Sequence, residues 1–347
     1  MAVNLATKYE KRFAEMYAQG NYLEGKYSTA WNFDGANEIA VQSPVTVPLT
    51  PYQRTGMARY GETTEMDTVL QKMKLTQELG FSKALDRGNY SDSQMAISAK
   101  NWMDEEVKRV VRPTVEKYAI QKWVEGAGGY VGVSAKPTKI DVIESVLTLD
   151  ELLDDGNVSD TGRHLILATD VAKQVALSSE FMSLEQLGVK AIGRGNIGQI
   201  GQMQVTKVPK SWMPEGCFGF VVQKDAAILA KKLTDMHLHT DPVGIRGWVM
   251  EGAIYFDAFV LGAKANGVAA LVQSSARQAT PAIAISDNKA TITSSGASRI
   301  MYTVDGSDPR YSASAQVYTA AVTIPAGGVV KAVAYKNGGF ASDVAEK

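Results

Sequence analysis

The chain has 347 residues with 36 Lys+Arg against 37 Asp+Glu, a formal net charge of -1, and its length allows two or three domains with substantial cores. Its 45% hydrophobic, 21% charged and 8% aromatic content excludes disordered, collagen-like and coiled-coil classes, and the cancelled charge excludes a dedicated polyanion binder. A single cysteine, Cys217, excludes an internal disulfide and suits synthesis in a reducing cytosol, while three histidines argue against a His-built metal centre. No segment reaches the ~18 apolar residues of a membrane span, and charges stand where a signal peptide carries its apolar core, so neither a membrane partner nor export is expected.

Residues 1–29, polar with anchors such as Phe13, Tyr22 and Leu23, read as an N-terminal arm too small to bury a core. Residues 30–90 read as an extended ribbon: a strand over Glu38 to Val47, a turn-rich tip from Pro48, and a second strand over Asp67 to Phe81 that pairs back on the first. A two-stranded ribbon is marginal in water, so it must rest on another element. Residues 91–138 contain a long helix: Ser91, Asp92 and Ser93 supply N-caps, and Met103, Val107, Val110, Val111, Val115, Tyr118 and Trp123 recur at helical spacing up to Glu125. About 30 helical residues would span on the order of 45 Å. Pro113 predicts a bend or a shift in hydrogen bonding.

Helix resumes after Pro137, Leu165 to Ala168 reads as a short buried strand, and Thr169-Asp170 opens another helix. Strands near Met203 to Val208, Phe218 to Val222 and Trp248 to Leu261 are expected to surround a helix over Ala226 to Leu233. Residues 273–280 read as a linker, and 281–347, with short alternating runs rich in Val, Ile, Thr, Tyr, Ser and Gly, as a compact β-sandwich.

Candidate chemistry is sparse. Gly193-Arg194-Gly195-Asn196-Ile197-Gly198 matches a dinucleotide letter pattern, but a strand-like run follows where the pattern needs a helix, so it reads as a loop entering a strand. His237 and His239 would share one face of a strand without a third ligand nearby, and Cys217 begins an apolar run as a buried thiol. Asp154-Asp155 and Glu105-Glu106 are neighbours that point apart on a helix, and read as solvated surface. Asp305-Gly306-Ser307-Asp308 lacks the later ligands of a calcium loop and reads as a β-turn. No catalytic residue, cofactor or metal is expected, and the chain does not read as an enzyme.

The order of arm, ribbon, long helix and α+β domain resembles the major capsid proteins of tailed double-stranded DNA bacteriophages, with their HK97-type fold. The stretches carrying this are Val45-Thr-Val-Pro-Leu49, Asp104 to Tyr118, Val205-Thr-Lys-Val-Pro209 through Trp212-Met-Pro214, Asp241 to Trp248, and Asp257 to Val268, together spanning about residues 1–272. The resemblance implies an α+β fold with an N-arm, an E-loop ribbon, a spine helix, and peripheral and axial domains. It places the axial domain at 139–213, return strands at 214–272, and Gly193, Arg194, Gly195, Asn196 and Gly198 in the loop nearest the capsomer axis. It implies pentamers and hexamers of this chain in a virion head shell made in the bacterial cytoplasm. The implied partners are a portal, a separate scaffolding protein if any, cement proteins, and packaged DNA held non-specifically on the inner face. Tyr52, Arg54, Arg59 and Tyr60 at the ribbon tip are the expected intersubunit contacts, because Arg and Tyr combine apolar area with directional donors.

The last segment resembles the Ig-like module at the C-terminus of chitobiases and hexosaminidases, through Tyr302, Asp305, Gly306, Ser307, Asp308 and Pro309 and later through Tyr318, Val322 to Ile324 and Val330 to Ala334. This implies a fold and not an activity. An outward decoration domain is expected, removable with residues 279–347, whose Tyr302, Tyr311, Tyr318 and Tyr335 would stack on host-surface glycans if exposed; alternating Tyr in a sandwich more often forms core. The alternative is a carbohydrate-active enzyme or surface binding protein that carries such a module.

Overall fold

The computed structural model describes residues 21–31, 38–44, 49, 51–55, 59–60, 68–88, 99–178, 182–183, 196–325 and 327–347. The ribbon is an antiparallel pair, β1 (Glu38–Pro44) and β2 (Thr68–Lys74), with Glu38 opposite Lys74 and Pro44 opposite Thr68. The second strand does not run on to Phe81 as expected. At Thr76 the chain leaves the ribbon, because the Asp257 carboxylate accepts both its amide (3.0 Å) and its hydroxyl (2.7 Å). The continuation, β3 (Gln77–Asp86), joins a different sheet.

The long helix is continuous but has three parts: α1 (Ala99–Glu106), a π-helical turn (Val107–Val111) and α2 (Arg112–Glu125). Pro113 stands in the first turn of α2 and has no N–H to give, and just before it the ladder slips by one residue, so that Arg112 N–H reaches Val107 O. The predicted hydrogen-bond shift therefore takes the form of a π turn. The expected caps at Ser91 to Ser93 lie outside the described residues.

There follow β4 (Gly129–Val133), α3 (Val142–Asp155), β5 (Arg163–Ala168), α4 (Thr169–Ala176), β6 (Met182–Ser183), β7 (Asn196–Ile200), β8 (Met203–Val208), β9 (Cys217–Gln223), β10 (Ala227–Thr240), β11 (Gly247–Val260) and β12 (Val268–Gln273). Seven of these strands form one mixed sheet in the order β4-β12-β9-β5-β8-β7-β6, and β10, β11 and β3 form a long antiparallel sheet. The helix expected over Ala226 to Leu233 is instead the start of β10. Ala227 and Leu229 pack into the principal core, while Ile228 and Ala230 pack into a second cluster with Val41, Met73, Leu75 and Leu261 beneath the ribbon. A strand apolar on both faces shows no alternation, which is why its composition reads as helix.

The principal core lies between α2, α3, α4 and the seven-stranded sheet, and Trp123 in α2 donates its indole N–H to Ile228 O at 3.1 Å. The C-terminal segment is built from β13 (Ala282–Ser286), β14 (Lys289–Thr293), β15 (Arg299–Thr303), β16 (Gln316–Val317), β17 (Val322–Thr323), β18 (Lys331–Tyr335) and β19 (Ala345–Glu346), in sheets ordered β13-β14-β17 and β16-β15-β18-β19. Its own small core holds Ala290, Ile292, Tyr302, Val330 and Ala332, but Val333, Phe340 and Ala341 belong to the principal core. Residues 273–280 are accordingly a packed joint and no spacer: Arg277 bridges to Phe340, and the Gln278 amide, buried, donates to Ser294 Oγ and Ser295 O.

Candidate assembly surfaces

Beyond the last ribbon pair, Gln53 N–H donates to Arg59 O at 3.0 Å, which ties together the two sides of the ribbon's turn. This brings Tyr52 and Tyr60 together, with ring centroids 5.1 Å apart. Arg54 and Arg59 are exposed beside them, Tyr60 is 86% exposed and Leu49 fully so. The structure thus gathers all four residues at one exposed turn. An exposed cluster of this composition is typical of a surface that another chain covers.

Gly193, Arg194 and Gly195 of the expected axis loop lie outside the described residues. Asn196 and Gly198 are in β7, where the register with β8 slips between them, and Gly198 is buried opposite Val205. A strand at this place leaves the dinucleotide pattern without its helix.

The described part of the arm, residues 21–31, is held against α2 and β10. Glu116 accepts Tyr22 N–H at 3.1 Å, Ser28 N–H donates to Ala227 O at 2.8 Å, and Leu23 is fully buried. Burial pushes the Glu116 carboxyl up and the Lys26 ammonium down from their ordinary values. His164, on β5, is pushed down to about 4 by burial, helped by the charges of Lys26 and Lys224. Between roughly pH 6.5 and 4 the unfolded chain therefore binds a proton that folded His164 refuses, and stability falls as the pH drops through that window, by on the order of 2 kcal/mol. Glu116 titrates with the opposite sign, so the contribution is read as a difference: urea unfolding at pH 7 and pH 4.5 should show a smaller acid loss for His164→Gln than for the unaltered chain.

His237 and His239 share a face of β10, their rings 5.9 Å apart, with Glu251 at 3.5 Å from His239. Cys217 is buried and its thiol is pushed up to about 12 by desolvation, which makes it a packing group. Asp154 is not simply solvated: with Asp150 and Asp160 it surrounds the Arg163 guanidinium, 1% exposed, a buried cation without a periodic signature in the sequence.

In the C-terminal module, Asp305 accepts the Ser307 amide at 3.0 Å and the Ser314 hydroxyl at 2.6 Å, and Gly306 has φ 73°, giving the expected turn. Its end does more. Asp308 grips Arg310 Nε and Nη2 at 3.1 and 2.7 Å, which turns Arg310 Nη1 onto the carbonyls of Ala127 (3.1 Å) and Gly128 (2.8 Å). The Tyr311 hydroxyl donates to Gly126 O at 2.7 Å. Pro309, between them, is buried. The module thereby caps the carbonyls that follow α2. The four tyrosines are not an exposed glycan platform: Tyr302 is buried and bonded to Gln316, the Tyr318 hydroxyl accepts Ile292 N–H, Tyr311 lies in the joint, and Arg299 covers the Tyr335 ring at 4.6 Å.

Comparison with known proteins finds a likeness in fold. A structure from Mycobacterium phage Che8 superposes with a TM-score of 0.63 at 14% identity, covering 78% of this chain and 98% of that one. The capsid structure of cyanophage P-SCSP1u gives 0.59 at 11% identity, with 78% and 93% covered, and the mature capsid of bacteriophage PhiM1 gives 0.55 at 9%, with 78% and 92% covered. A family model described as Fn3 associated matches residues 290–347. No curated protein matches the chain. The fold is therefore one that phage capsid chains share.

Proposed function

We propose that this chain is a shell subunit of a bacteriophage head, self-associating as pentamers and hexamers through an HK97-type fold. The observation that carries the reading is the fold likeness, which takes in 92–98% of the chains it matches and 78% of this one. The exposed turn with Tyr52, Arg54, Arg59 and Tyr60 supports it, because such a cluster calls for a neighbouring subunit to cover it. In this reading residues 139–213 form the axial part, with 193–198 nearest the capsomer axis. Scaffolding, portal and cement proteins are the partners, DNA lies against the inner face, and the site of action is the virion. The C-terminal module is Ig-like and faces outward. Any contact it makes with host glycans falls to the exposed residues of β13 and β14, since its tyrosines are used internally. No observation favours the alternative of a carbohydrate-active enzyme.

The purified chain, alone and with its scaffold candidate, is expected to give megadalton particles by gel filtration and closed shells by negative-stain microscopy. A chain that stays monomeric under both conditions would overturn the reading. Within it, Arg54→Ala and Arg59→Ala together should raise the concentration needed for assembly by roughly tenfold or more, since interface truncations typically cost ~1–2 kcal/mol each. Subunit melting temperature should not change for Arg54→Ala alone, because that side chain is exposed.

A further inference from the structure

We infer that the C-terminal module is a brace that fixes the direction in which the ribbon projects from its own subunit. Three contacts made by one short loop carry this. Arg310 and Tyr311 bind the carbonyls of residues 126–128, at the end of the spine helix. The Tyr311 side chain packs so closely on Gly262 that a Cβ added there would come 2.7 Å from Tyr311 Cβ. Two residues further on, Ala313 N–H donates to Leu70 O, in β2, at 2.8 Å.

The third contact reaches the ribbon where the body also holds it. Next to Leu70, the Gln71 amide donates to Val260 O at 2.9 Å and accepts Gly262 N–H at 2.7 Å. Gly262 is therefore pinched between Tyr311 of the module and Gln71 of the ribbon. The inner end of the ribbon is secured by the hydrophobic cluster of Val41, Met73 and Leu75 and by bonds at Leu75 and Thr76, from Tyr255 and to Asp257; being grouped at one end, these act with a short lever arm against a swing of the strands beyond them. The bonds of Gln71 to the body resist that swing from one side, and the bond to Leu70, carried by a loop that Arg310 ties to residues 127 and 128, adds a second hold from the module. A decoration domain would need none of these contacts. The brace acts within one subunit and does not depend on what the ribbon tip touches.

Hydrogen exchange on the full-length chain tests this. Ala313→Pro deletes the N–H that reaches Leu70, and Arg310→Lys keeps a charge but cannot serve Asp308 and two carbonyls at once. Both variants should speed exchange over residues 38–44 and 68–74 by about five- to tenfold beyond any change over residues 142–155, which reports the loss of global stability, the size being set by one lost hydrogen bond. A spin-label pair between residue 54 and the body should broaden its distance distribution in both variants. Ribbon exchange at the unaltered rate in both would overturn the brace, including a case in which the module itself has loosened.

Discussion

Arg310→Ala is expected to lower the free energy of unfolding by about 3 kcal/mol, read from the urea midpoint of the full-length chain. The guanidinium is 10% exposed and serves one carboxylate and two carbonyls, so its removal leaves Asp308 with only the backbone N–H of residue 310 and the carbonyls of Ala127 and Gly128 without the donor they share. Losing one partner of a buried pair typically costs ~3–5 kcal/mol, and the partial exposure of Asp308 sets the estimate at the low end. Tyr311→Phe, which loses only the bond to Gly126 O, should cost about 1 kcal/mol. Removing residues 279–347 altogether takes Val333, Phe340 and Ala341 out of the principal core. The truncated chain is therefore expected to be poorly soluble, which is the opposite of what a separable decoration domain would show.

The second large effect is expected at Gly128, on the other side of the same joint. A Cβ there would sit 2.2 Å from Ala265 O, 2.4 Å from Ala265 C and 2.8 Å from Asn266 N. All three are backbone atoms, so no rotamer change relieves the clash. The turn over Gly262–Gly267 would have to move away from the end of the spine helix. Gly128→Ala should cost about 3 kcal/mol or more by equilibrium unfolding. Gly296→Ala is the contrasting variant: nothing lies within 4 Å of the added carbon, and only the φ of 74° opposes it, for about 1 kcal/mol. Because the Gly128 carbonyl is one of the acceptors of Arg310, the double variant of Gly128 and Arg310 should be less than additive.

The sequence by itself determined the elements whose signals are local. Alternation is enough to place the ribbon strands, since each buries one face at most. Helical spacing places the spine helix, and a missing N–H at Pro113 dictates a break in its ladder whatever surrounds it. The turn at Asp305 follows from side chains that satisfy their own backbone within a few residues. The exposed turn of the ribbon was legible as a composition, tyrosine and arginine at a turn, though the stacking of Tyr52 on Tyr60 was not.

Tertiary structure alone decided the rest, because its causes are far apart in the chain. β10 is a strand only because two apolar clusters, one under the ribbon and one in the main core, bury its two faces. The ribbon ends at Thr76 because of a carboxylate 181 residues away. Arg310 looks like any charge after a turn until the carbonyls of Ala127 and Gly128, 183 and 182 residues distant, are brought beneath it. The same holds for the tyrosines of the module, whose exposure depends on what packs over them. Periodicity and spacing report forces that act within a few residues, whereas sheet partners, domain joints and buried ion pairs are fixed by burial, and burial exists only once the chain has folded.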